Sequence, residues 1–367
     1  MKSNTIFPRL VGILILASLL LAACTSPAAT SEETTPEITL TDALGRTVTL
    51  PEPPTRIVLA GRGVVLIADA VYLFPEAVGR VAATSTISQS GGDPFLAAVD
   101  PDFASKVLFE TNVGAEQLAA AKPDLVILKS YLQESLGAPL EALNIPVVYL
   151  DLETPEQYTR DLAVLGIIFQ NQARADELIA FYQDTAAGVS SAVREISSDQ
   201  KPRILLLYYT DRDGEVAFNV PPASWIQTMM VEMAGGSPVW NDIELGGGWT
   251  KVGFEQIAAW DADQIIIIRY TGSPLETVRQ LKSDPQWKEL RAVQEDRLSA
   301  FPKDYISWDQ SDARWILGLQ WLAAQIYPQA FPNYEVTTSA RDFFQQWYGL
   351  DATKFDQYIA PRLETGS

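Results

Sequence analysis

The chain has 367 residues, 47% of them hydrophobic, which is enough to build two packed domains rather than one. Its formal net charge is −19 and no run of lysine and arginine stands out, so nucleic acid is not an expected partner, because phosphate contacts need clustered cations. The chain has no histidine and one cysteine, which excludes serine–histidine–aspartate and cysteine–histidine catalysis, histidine-ligated metal and an internal disulfide.

The first 23 residues have the pattern of a secretory signal peptide. A basic start precedes an apolar run over residues 10–21, which is too short for the roughly 20 residues of a membrane span. The run ends in LAAC, which resembles a bacterial lipobox, so we expect cleavage before Cys24 and lipid on its thiol. An ordinary secretory signal with an incidental cysteine is the alternative. Residues 24–37 are small, polar and Pro-bearing, and predict a flexible tether.

Residues 38–153 alternate strand-like and helix-like segments and predict an N-terminal α/β lobe. The segment opens with ITLTDALGRTVTLP, which predicts a β-hairpin. Apolar strands follow in RIVLAG, VGRVAATS, KVLF, DLVIL and residues 145–150, with helices between them. Short strands that are apolar throughout are typical of a parallel sheet covered on both faces.

Residues 154–197 contain no strand candidate and predict two linking helices. Thr154 is a suitable N-cap for the first, with proline at its first position. Asn171 can begin the second, over residues 172–196, where apolar residues recur at three- and four-residue steps. That helix would be on the order of 35 Å long, enough to bridge two domains.

Residues 198–367 return to alternating strands and helices and predict a C-terminal α/β lobe. RILLLYY, QIIII and RLSAF are its strand candidates. SWIQTMMVEMAGG and SDARWILGLQWLAAQIY are its clearest helices, and SARDFFQQWYG closes the fold.

Each lobe carries one copy of a similar helix–strand unit. GAEQLAAAKPDLVIL occupies residues 114–128, and GFEQIAAWDADQIII occupies residues 253–267. Two α/β lobes of similar design form a cleft, and open α/β sheets bind ligands at the carboxyl ends of their strands. The predicted fold is therefore two α/β lobes with mainly parallel sheets, joined by a long helix, with a ligand cleft between them.

Both units, together with DALGRTVTLPEPPTRIV and PQWKELRAVQEDRLSAFP, resemble segments of a known family over residues 38–350. That family is the helix-linked, two-lobed substrate-binding proteins of ABC importers, which handle ferric siderophores, haem and cobalamin. The resemblance implies a non-catalytic, extracytoplasmic monomer without a cofactor. It captures a small-molecule metal chelate and delivers it to a permease dimer coupled to an ATPase.

The resemblance also implies that one glutamate from each lobe engages arginines of the permease. The matching positions are Glu116 and Glu255. Paired carboxylates on two lobes form a two-point electrostatic register for a partner. The alternative is that each glutamate only stabilises the first turn of its helix through the helix dipole. This alternative explains either glutamate alone better than it explains the occurrence of both.

Candidate ligand contacts follow the predicted strands. Arginine and lysine can meet an anionic chelate, and tryptophan and tyrosine can stack on its flat faces. Trp249 and Trp308 also match family segments that touch ligand. The predicted contacts are Arg62, Lys129, Tyr131, Arg212, Trp249, Arg269, Tyr270, Trp308 with its neighbour Asp309, and Tyr209, for which Tyr208 is the alternative. The alternative for each of these residues is a structural role, either packing in the core or an ion pair, without contact to a ligand.

The absence of histidine narrows the ligand class. It argues against histidine-held haem and against free zinc or manganese, and leaves tyrosine-ligated haem open. An intact ferric siderophore needs no metal ligand from the protein and fits best; cobalamin follows, and molybdate or tungstate is a third possibility. Two other classes compete with an importer component: a surface-anchored hydrolase and an adhesion or scaffold lipoprotein without a ligand.

Overall fold

Two β-sheets, one in each half of the chain, organise the structure. The structure is a computed structural model that describes residues 37–86, 95–194, 197, 200–212, 214–244 and 246–366. The predicted signal peptide, Cys24 and all of the tether except residue 37 lie outside the described residues, as do the last two residues of the predicted second linking helix. From Glu37 onward the chain forms one compact unit.

The first lobe is built on a parallel sheet of five strands in the order β5-β4-β3-β6-β7. The strands are β3 (Ile57–Leu59), β4 (Val81–Ser85), β5 (Val107–Phe109), β6 (Leu125–Lys129) and β7 (Val147–Leu150). Its helices are α1 (Val64–Val71), α2 (Ala77–Arg80), α3 (Leu96–Val99), α4 (Ala115–Ala120) and α5 (Ala138–Ala142). The central strands β3 and β6 are buried throughout, which explains why they are apolar at every position up to Lys129.

The predicted hairpin is present at the edge of this sheet. It consists of the antiparallel strands β1 (Ile38–Thr41) and β2 (Thr47–Leu50). Its turn covers the outer edge of β7, because the Ala43 amide donates to the Tyr149 carbonyl over 2.9 Å. The hairpin therefore protects a strand edge that would otherwise be open to pairing with another chain.

Two helices link the halves, as predicted: α6 (Pro155–Phe169) and α7 (Gln172–Ala192). The Thr154 hydroxyl accepts from the Gln157 amide at 3.3 Å, and the Asn171 side chain accepts from the Arg174 amide at 3.1 Å, so both predicted N-caps are confirmed. The second helix contacts both lobes: the Arg174 guanidinium donates to the Leu73 carbonyl, and the Tyr182 hydroxyl donates to the Ala313 carbonyl.

The second lobe is built on a mixed sheet in the order β11-β9-β8-β12-β13, with β10 also paired to β8. The strands are β8 (Arg203–Arg212), β9 (Glu215–Val220), β10 (Ser237–Pro238), β11 (Thr250–Val252), β12 (Gln264–Ile268) and β13 (Leu298–Ala300). Strands β9, β10 and β11 were not predicted. β8 and β9 pair as an antiparallel hairpin, and residues of β9 such as Val216 are exposed, so it lacks the apolar run that marked the others.

The helices of the second half include the closing elements of the fold. They are α8 (Ile226–Met233), α9 (Phe254–Trp260), α10 (Pro274–Ser283), α11 (Arg291–Gln294), α12 (Trp315–Ile326), α13 (Val336–Tyr348) and α14 (Ala352–Lys354). Helix α13 returns to the first lobe, since Phe344 and Tyr348 pack on Phe95 with ring centroids 5.6 and 5.0 Å apart. The Tyr348 hydroxyl also donates to the Asp69 carbonyl. The segment predicted to belong to the second lobe therefore completes the core of the first as well.

A buried ionic cluster joins the lobes. The Arg314 guanidinium contacts Asp69 of the first lobe at 2.5 Å, and Asp304 and Asp312 of the second at 2.9 and 2.5 Å. All four side chains are almost fully buried. Burial raises the pKa of both Asp69 and Asp312, and the two carboxyls share a hydrogen bond. One guanidinium thus faces three carboxyls, and burial favours the protonated form of two of them, Asp69 and Asp312.

Two glycines give a matched test of the packing. A Cβ on Gly318 in α12 would lie 2.3 Å from the Trp308 carbonyl oxygen, whereas a Cβ on Gly188 in α7 would meet nothing within 4 Å. We expect Gly318→Ala to destabilise the fold by about 1–3 kcal/mol, because backbone must shift. Gly188→Ala should stabilise it by about 0.5–1 kcal/mol through helix propensity. Urea unfolding of both variants checks the pair; equal effects would contradict this packing.

Candidate functional site

In the first lobe the loops after β3 and β6 flank the crevice where the strand order reverses. The chain passes from β3 to β4 on one side of the sheet, whereas β6 lies on the other side of β3; ligands of open α/β sheets bind at such a point. Arg62 follows β3 and Tyr131 follows β6; both are exposed, and the Tyr131 hydroxyl donates to the Arg62 carbonyl at 2.8 Å. A cavity of about 470 Å³ opens here, lined by Gly61, Arg62, Thr111, Asn112, Val113, Tyr131, Leu132, Ser135 and Leu136.

The predicted contact Lys129 is placed differently. Its side chain is 1% exposed, and its ammonium contacts the Glu153 carboxylate and the Asp151 carbonyl. Glu153 in turn accepts from the Ser311 hydroxyl of the second half at 2.9 Å. The Glu153 carboxylate therefore neutralises the charge of Lys129 and links it to the second lobe. The prediction that Lys129 contacts the ligand is corrected.

In the second lobe four half-buried aromatic side chains form a cluster, Tyr208, Trp225, Trp249 and Tyr270. Trp249 is central: its ring centroid lies 4.9 Å from Tyr208, 5.6 Å from Trp225 and 6.2 Å from Tyr270. Tyr208 and Tyr270 are 4.5 Å apart. This aromatic cluster brings the predicted contacts Trp249 and Tyr270 together on one surface that suits the flat face of a ligand.

Arg212 lies at the end of β8 beside this aromatic cluster and is exposed. Burial raises the pKa of Tyr208, and the guanidinium of Arg212, which shares a hydrogen bond with the tyrosine hydroxyl, partly offsets the rise. Neither Arg212 nor Arg62 forms an ion pair with a carboxylate among the described residues. Among the described residues, Arg62 and Arg212 thus each place an exposed guanidinium at the carboxyl end of a strand, one in each lobe.

Three other predicted contacts are occupied by the protein itself. Arg269 donates to Asp211, Thr277 and the Thr271 carbonyl, which uses all three of its nitrogens. Tyr209 is 8% exposed, with Arg269 stacked 4.9 Å from its ring. Trp308 is 0% exposed and donates to Asp304 at 3.1 Å. Their side chains hold loops and core together and have little or no surface to offer a ligand, so these predictions are corrected.

The sequence left the choice between Tyr208 and Tyr209 open and gave no signal for Trp225. Successive side chains of a strand point to opposite faces, so Tyr208 and Tyr209 cannot share a surface. Tyr209 faces Phe218 at 5.6 Å, while Tyr208 faces Trp249. Because RILLLYY is apolar on both faces of the strand, its sequence does not show which tyrosine faces the core and which faces the aromatic cluster. Trp225 precedes α8 in a loop, and no periodic pattern marks it.

Below the aromatic cluster lies a buried carboxylate, Asp309. It is 0% exposed, and its Oδ2 accepts from the Tyr270 hydroxyl at 2.9 Å and from the Gln227 amide at 3.2 Å. Burial and the Asp309 carboxylate raise the pKa of Tyr270 far above its ordinary value, so its hydroxyl stays protonated and donates. Asp309 therefore fixes the orientation of one ring of the aromatic cluster.

The loop that carries Tyr270 is held by a buried cation. The Lys303 ammonium donates to the carbonyls of Tyr270 and Gly272, both at 3.1 Å, and more weakly to that of Arg269. Burial lowers the pKa of Lys303, while Glu364 and Asp304 act in the opposite direction. These contacts anchor the backbone beneath the aromatic cluster.

The two predicted docking glutamates occupy equivalent places. Glu116 and Glu255 are both exposed at the second position of their helices, α4 and α9. Helix α4 comes after β5 and α9 after β11, and each of these strands is the outermost of its sheet. β11 runs parallel to β8, since both are antiparallel to β9. Both glutamates therefore follow the carboxyl end of an edge strand, on the side where the candidate cleft lies.

In the part of the chain that the structure describes, no group of three or more histidine, cysteine, aspartate or glutamate side chains is placed to hold a metal ion. None of the helices in the same part is long and apolar enough to cross a membrane.

Comparison with known proteins defines the class. The family model described as periplasmic binding protein matches residues 57–305, more than half of the chain. A curated relative, the molybdate-binding protein MolA of Haemophilus influenzae, is 22% identical over 331 residues, which cover 84% of this chain and 90% of the relative.

Solved structures share the fold. A periplasmic solute binding protein from Veillonella parvula superposes with a TM-score of 0.73 at 23% identity, over 88% of this chain and 97% of that chain. The TroA-like periplasmic binding protein FepB from the same organism gives 0.69 at 20% identity, over 84% and 96% of the two chains. These likenesses confirm the predicted two-lobed α/β fold.

The chain therefore belongs to the periplasmic binding protein family. Membership implies a location outside the cytoplasm. It also supports, at the level of the family, a protein that binds a solute rather than one that catalyses a reaction.

Proposed function

We propose that this protein is the lipid-anchored substrate-binding component of an ABC importer and that it captures an anionic iron chelate of the ferric siderophore type. The observation that carries this proposal is the exposed guanidinium of each lobe, Arg62 and Arg212, with the aromatic cluster beside the second. Guanidinium groups suit delocalised anionic oxygens, and aromatic faces suit the planar ligands of a chelate. Lipid on Cys24 would hold the protein at the membrane surface.

Delivery rests on the two glutamates. Glu116 and Glu255 are exposed at equivalent positions of the two lobes, as the resemblance to importer components implies. Two carboxylates at fixed separation select both the position and the orientation of a basic partner. The permease would contact both lobes at once, and the cargo would then leave the cleft between them.

An oxyanion is the second candidate cargo, and one observation favours it: the relative MolA is a molybdate-binding protein and aligns over most of the chain. The same two guanidinium groups would serve a small tetrahedral anion. The aromatic cluster is then larger than the cargo requires, which is why the chelate is placed first. Cobalamin and haem remain further alternatives for the same role.

A tryptophan-fluorescence titration distinguishes these cargoes. Trp225 and Trp249 are half-buried in the aromatic cluster, so an occupant of this surface should quench or shift their emission. We expect saturable quenching by a ferric catecholate or hydroxamate at micromolar concentration or below. A response to molybdate alone would move the assignment to the oxyanion. No response to any chelate, haem, cobalamin or oxyanion would contradict cargo capture.

Neutralising the arginines tests the charge requirement. We expect Arg62→Gln and Arg212→Gln each to raise the Kd of the cargo by about tenfold or more, because hydrogen bonds to charged groups contribute about 1.5–3 kcal/mol. Arg279→Gln is the matched control, since Arg279 is an exposed arginine on α10. It faces grooves lined by none of the cluster residues. Equal affinity of all three variants would rule out the anionic cargo.

A further inference from the structure

Asp309 is a buried carboxylate without a cationic partner. Its side chain is 0% exposed, and it forms no ion pair among the described residues. Oδ2 accepts two hydrogen bonds from neutral donors, whereas Oδ1 has no partner. Burying an unpaired charge is costly unless hydrogen bonds or proton uptake compensate it. Two neutral donors compensate a part of that cost only.

The groups that face Asp309 come from four segments. Tyr270 follows β12, Tyr208 lies on β8 and Gln227 lies on α8; Ser307 and Lys303 precede Asp309 on its own loop. Lys303 is the sole cation of this set, and its ammonium is bonded to backbone carbonyls rather than to Asp309. Burial raises the pKa of Asp309 to about 6, although the hydrogen bonds from Tyr270 and Gln227 act in the opposite direction.

We infer that Asp309 is a proton-binding site beneath the aromatic cluster and that proton uptake there strengthens the binding of an anion on this surface. This inference rests on the proposed function for its biological use. The route is short: Asp309 holds the Tyr270 hydroxyl, and the Tyr270 ring lies 6.2 Å from Trp249. Asp309 acts through Tyr270 and is a positioning residue, not a direct contact of the cargo.

The sign of the effect follows from charge and from hydrogen bonding. Ionised Asp309 repels an anion and keeps the Tyr270 hydroxyl as its own donor. Protonated Asp309 is neutral, so the repulsion is lost and the hydrogen bond from the Tyr270 hydroxyl weakens. Anion affinity should therefore rise as pH falls from about 7.5 to 5.5. Because one proton is involved, the gain is limited to roughly tenfold per pH unit. Bound anion should in turn favour the protonated carboxyl, by the reciprocity of linked equilibria.

The chain is unusually suited to measuring this effect without any cargo. It has nine tryptophans, of which Trp225 and Trp249 alone are not buried. Ionic quenchers of fluorescence therefore report on the aromatic cluster. The chain also lacks histidine, the side chain whose ordinary pKa lies in this pH range. Burial also raises the pKa values of Asp161 and of the pair Asp69 and Asp312, so the titration of Asp309 must be separated from theirs by mutation.

The experiment is Stern–Volmer quenching of the purified protein by iodide between pH 5 and pH 8, with caesium as the quencher of opposite charge. We expect the iodide constant to rise by roughly two- to threefold as pH falls through about 6, because a nearby negative charge is removed, and the caesium constant to fall. Asp309→Asn, which is neutral at every pH, should give high iodide quenching throughout. Tyr270→Phe removes a donor to the carboxylate and should move the midpoint to higher pH.

Two results would overturn the inference. One is an iodide constant in the wild-type protein that does not change with pH. The other is an unchanged pH dependence in Asp309→Asn, which would assign the titration to another group such as Asp69 and Asp312. Should Asp309→Asn fail to fold, the direction of the midpoint shift in Tyr270→Phe decides. Since no cargo is present, failure here is distinct from failure of the titrations that test cargo capture.

Discussion

Reversing the charge of both docking glutamates should abolish uptake while leaving cargo binding intact. In Glu116→Lys/Glu255→Lys we expect uptake by cells that carry the importer to fall at least tenfold, because attraction to a basic partner becomes repulsion at two points. The Kd for cargo should stay within about twofold of the wild-type value, since both residues are exposed and lie on helices outside the aromatic cluster. Labelled-cargo uptake and a fluorescence titration on the same variants measure the two quantities.

The control reverses two other exposed glutamates. Glu52 and Glu289 lie in segments that lead into strands β3 and β13, whereas the docking pair follows the ends of strands. Glu52→Lys/Glu289→Lys changes the net charge by the same amount and should transport normally. Full uptake by the Glu116/Glu255 variant would reduce these glutamates to first-turn residues that favour their helices through the dipole.

The second large effect concerns stability. Arg314→Leu leaves three buried carboxyls without their shared cation, and we expect the free energy of unfolding to fall by about 3–5 kcal/mol. Arg341→Leu is a suitable control: Arg341 also pairs with a carboxylate, Asp356 at 2.8 Å, but on the surface, so its loss should cost below about 1 kcal/mol. Urea unfolding at neutral pH measures both variants.

The loss in Arg314→Leu should depend on pH. Burial raises the pKa of Asp69 and Asp312 in the folded protein, so the folded state binds more protons than the unfolded state above the ordinary aspartate pKa. Stability therefore falls as pH rises through this range. Without the guanidinium the two pKa values should rise further and the slope steepen, so the loss should be larger at pH 8 than at pH 5. A loss independent of pH would mean that packing against Phe95, rather than charge, is the main role of Arg314.

The sequence was a good guide wherever periodicity controls structure. Buried strands such as β6 and β12 are apolar at nearly every position, and Thr154 and Asn171 mark helix starts by their capping chemistry. Strand β9 was not predicted because an exposed strand of a hairpin need not be apolar at every position. The resemblance between the two helix–strand units pointed correctly to two lobes of like design.

The candidate site was harder to predict because residue type does not reveal the partner of a side chain. Lys129 and Arg269 looked like free cations, yet Glu153 and Asp211 neutralise them across long sequence separations. Tyr208 and Tyr209 are adjacent and chemically identical, so only the direction of the strand's faces separates a cluster residue from a core residue. Arg62 and Arg212 remain candidates because no described carboxylate reaches them.

The last long helix also constrains the order of folding. The Tyr348 hydroxyl is bonded to the carbonyl of Asp69, 279 positions earlier, and its ring packs on Phe95. Contacts so distant in sequence form late and slow the folding of a chain. The N-terminal half cannot close its core while the polypeptide is still emerging, and a chain cut before residue 336 would expose apolar surface and aggregate. Slow completion of this kind suits a polypeptide that leaves the cytoplasm before it folds.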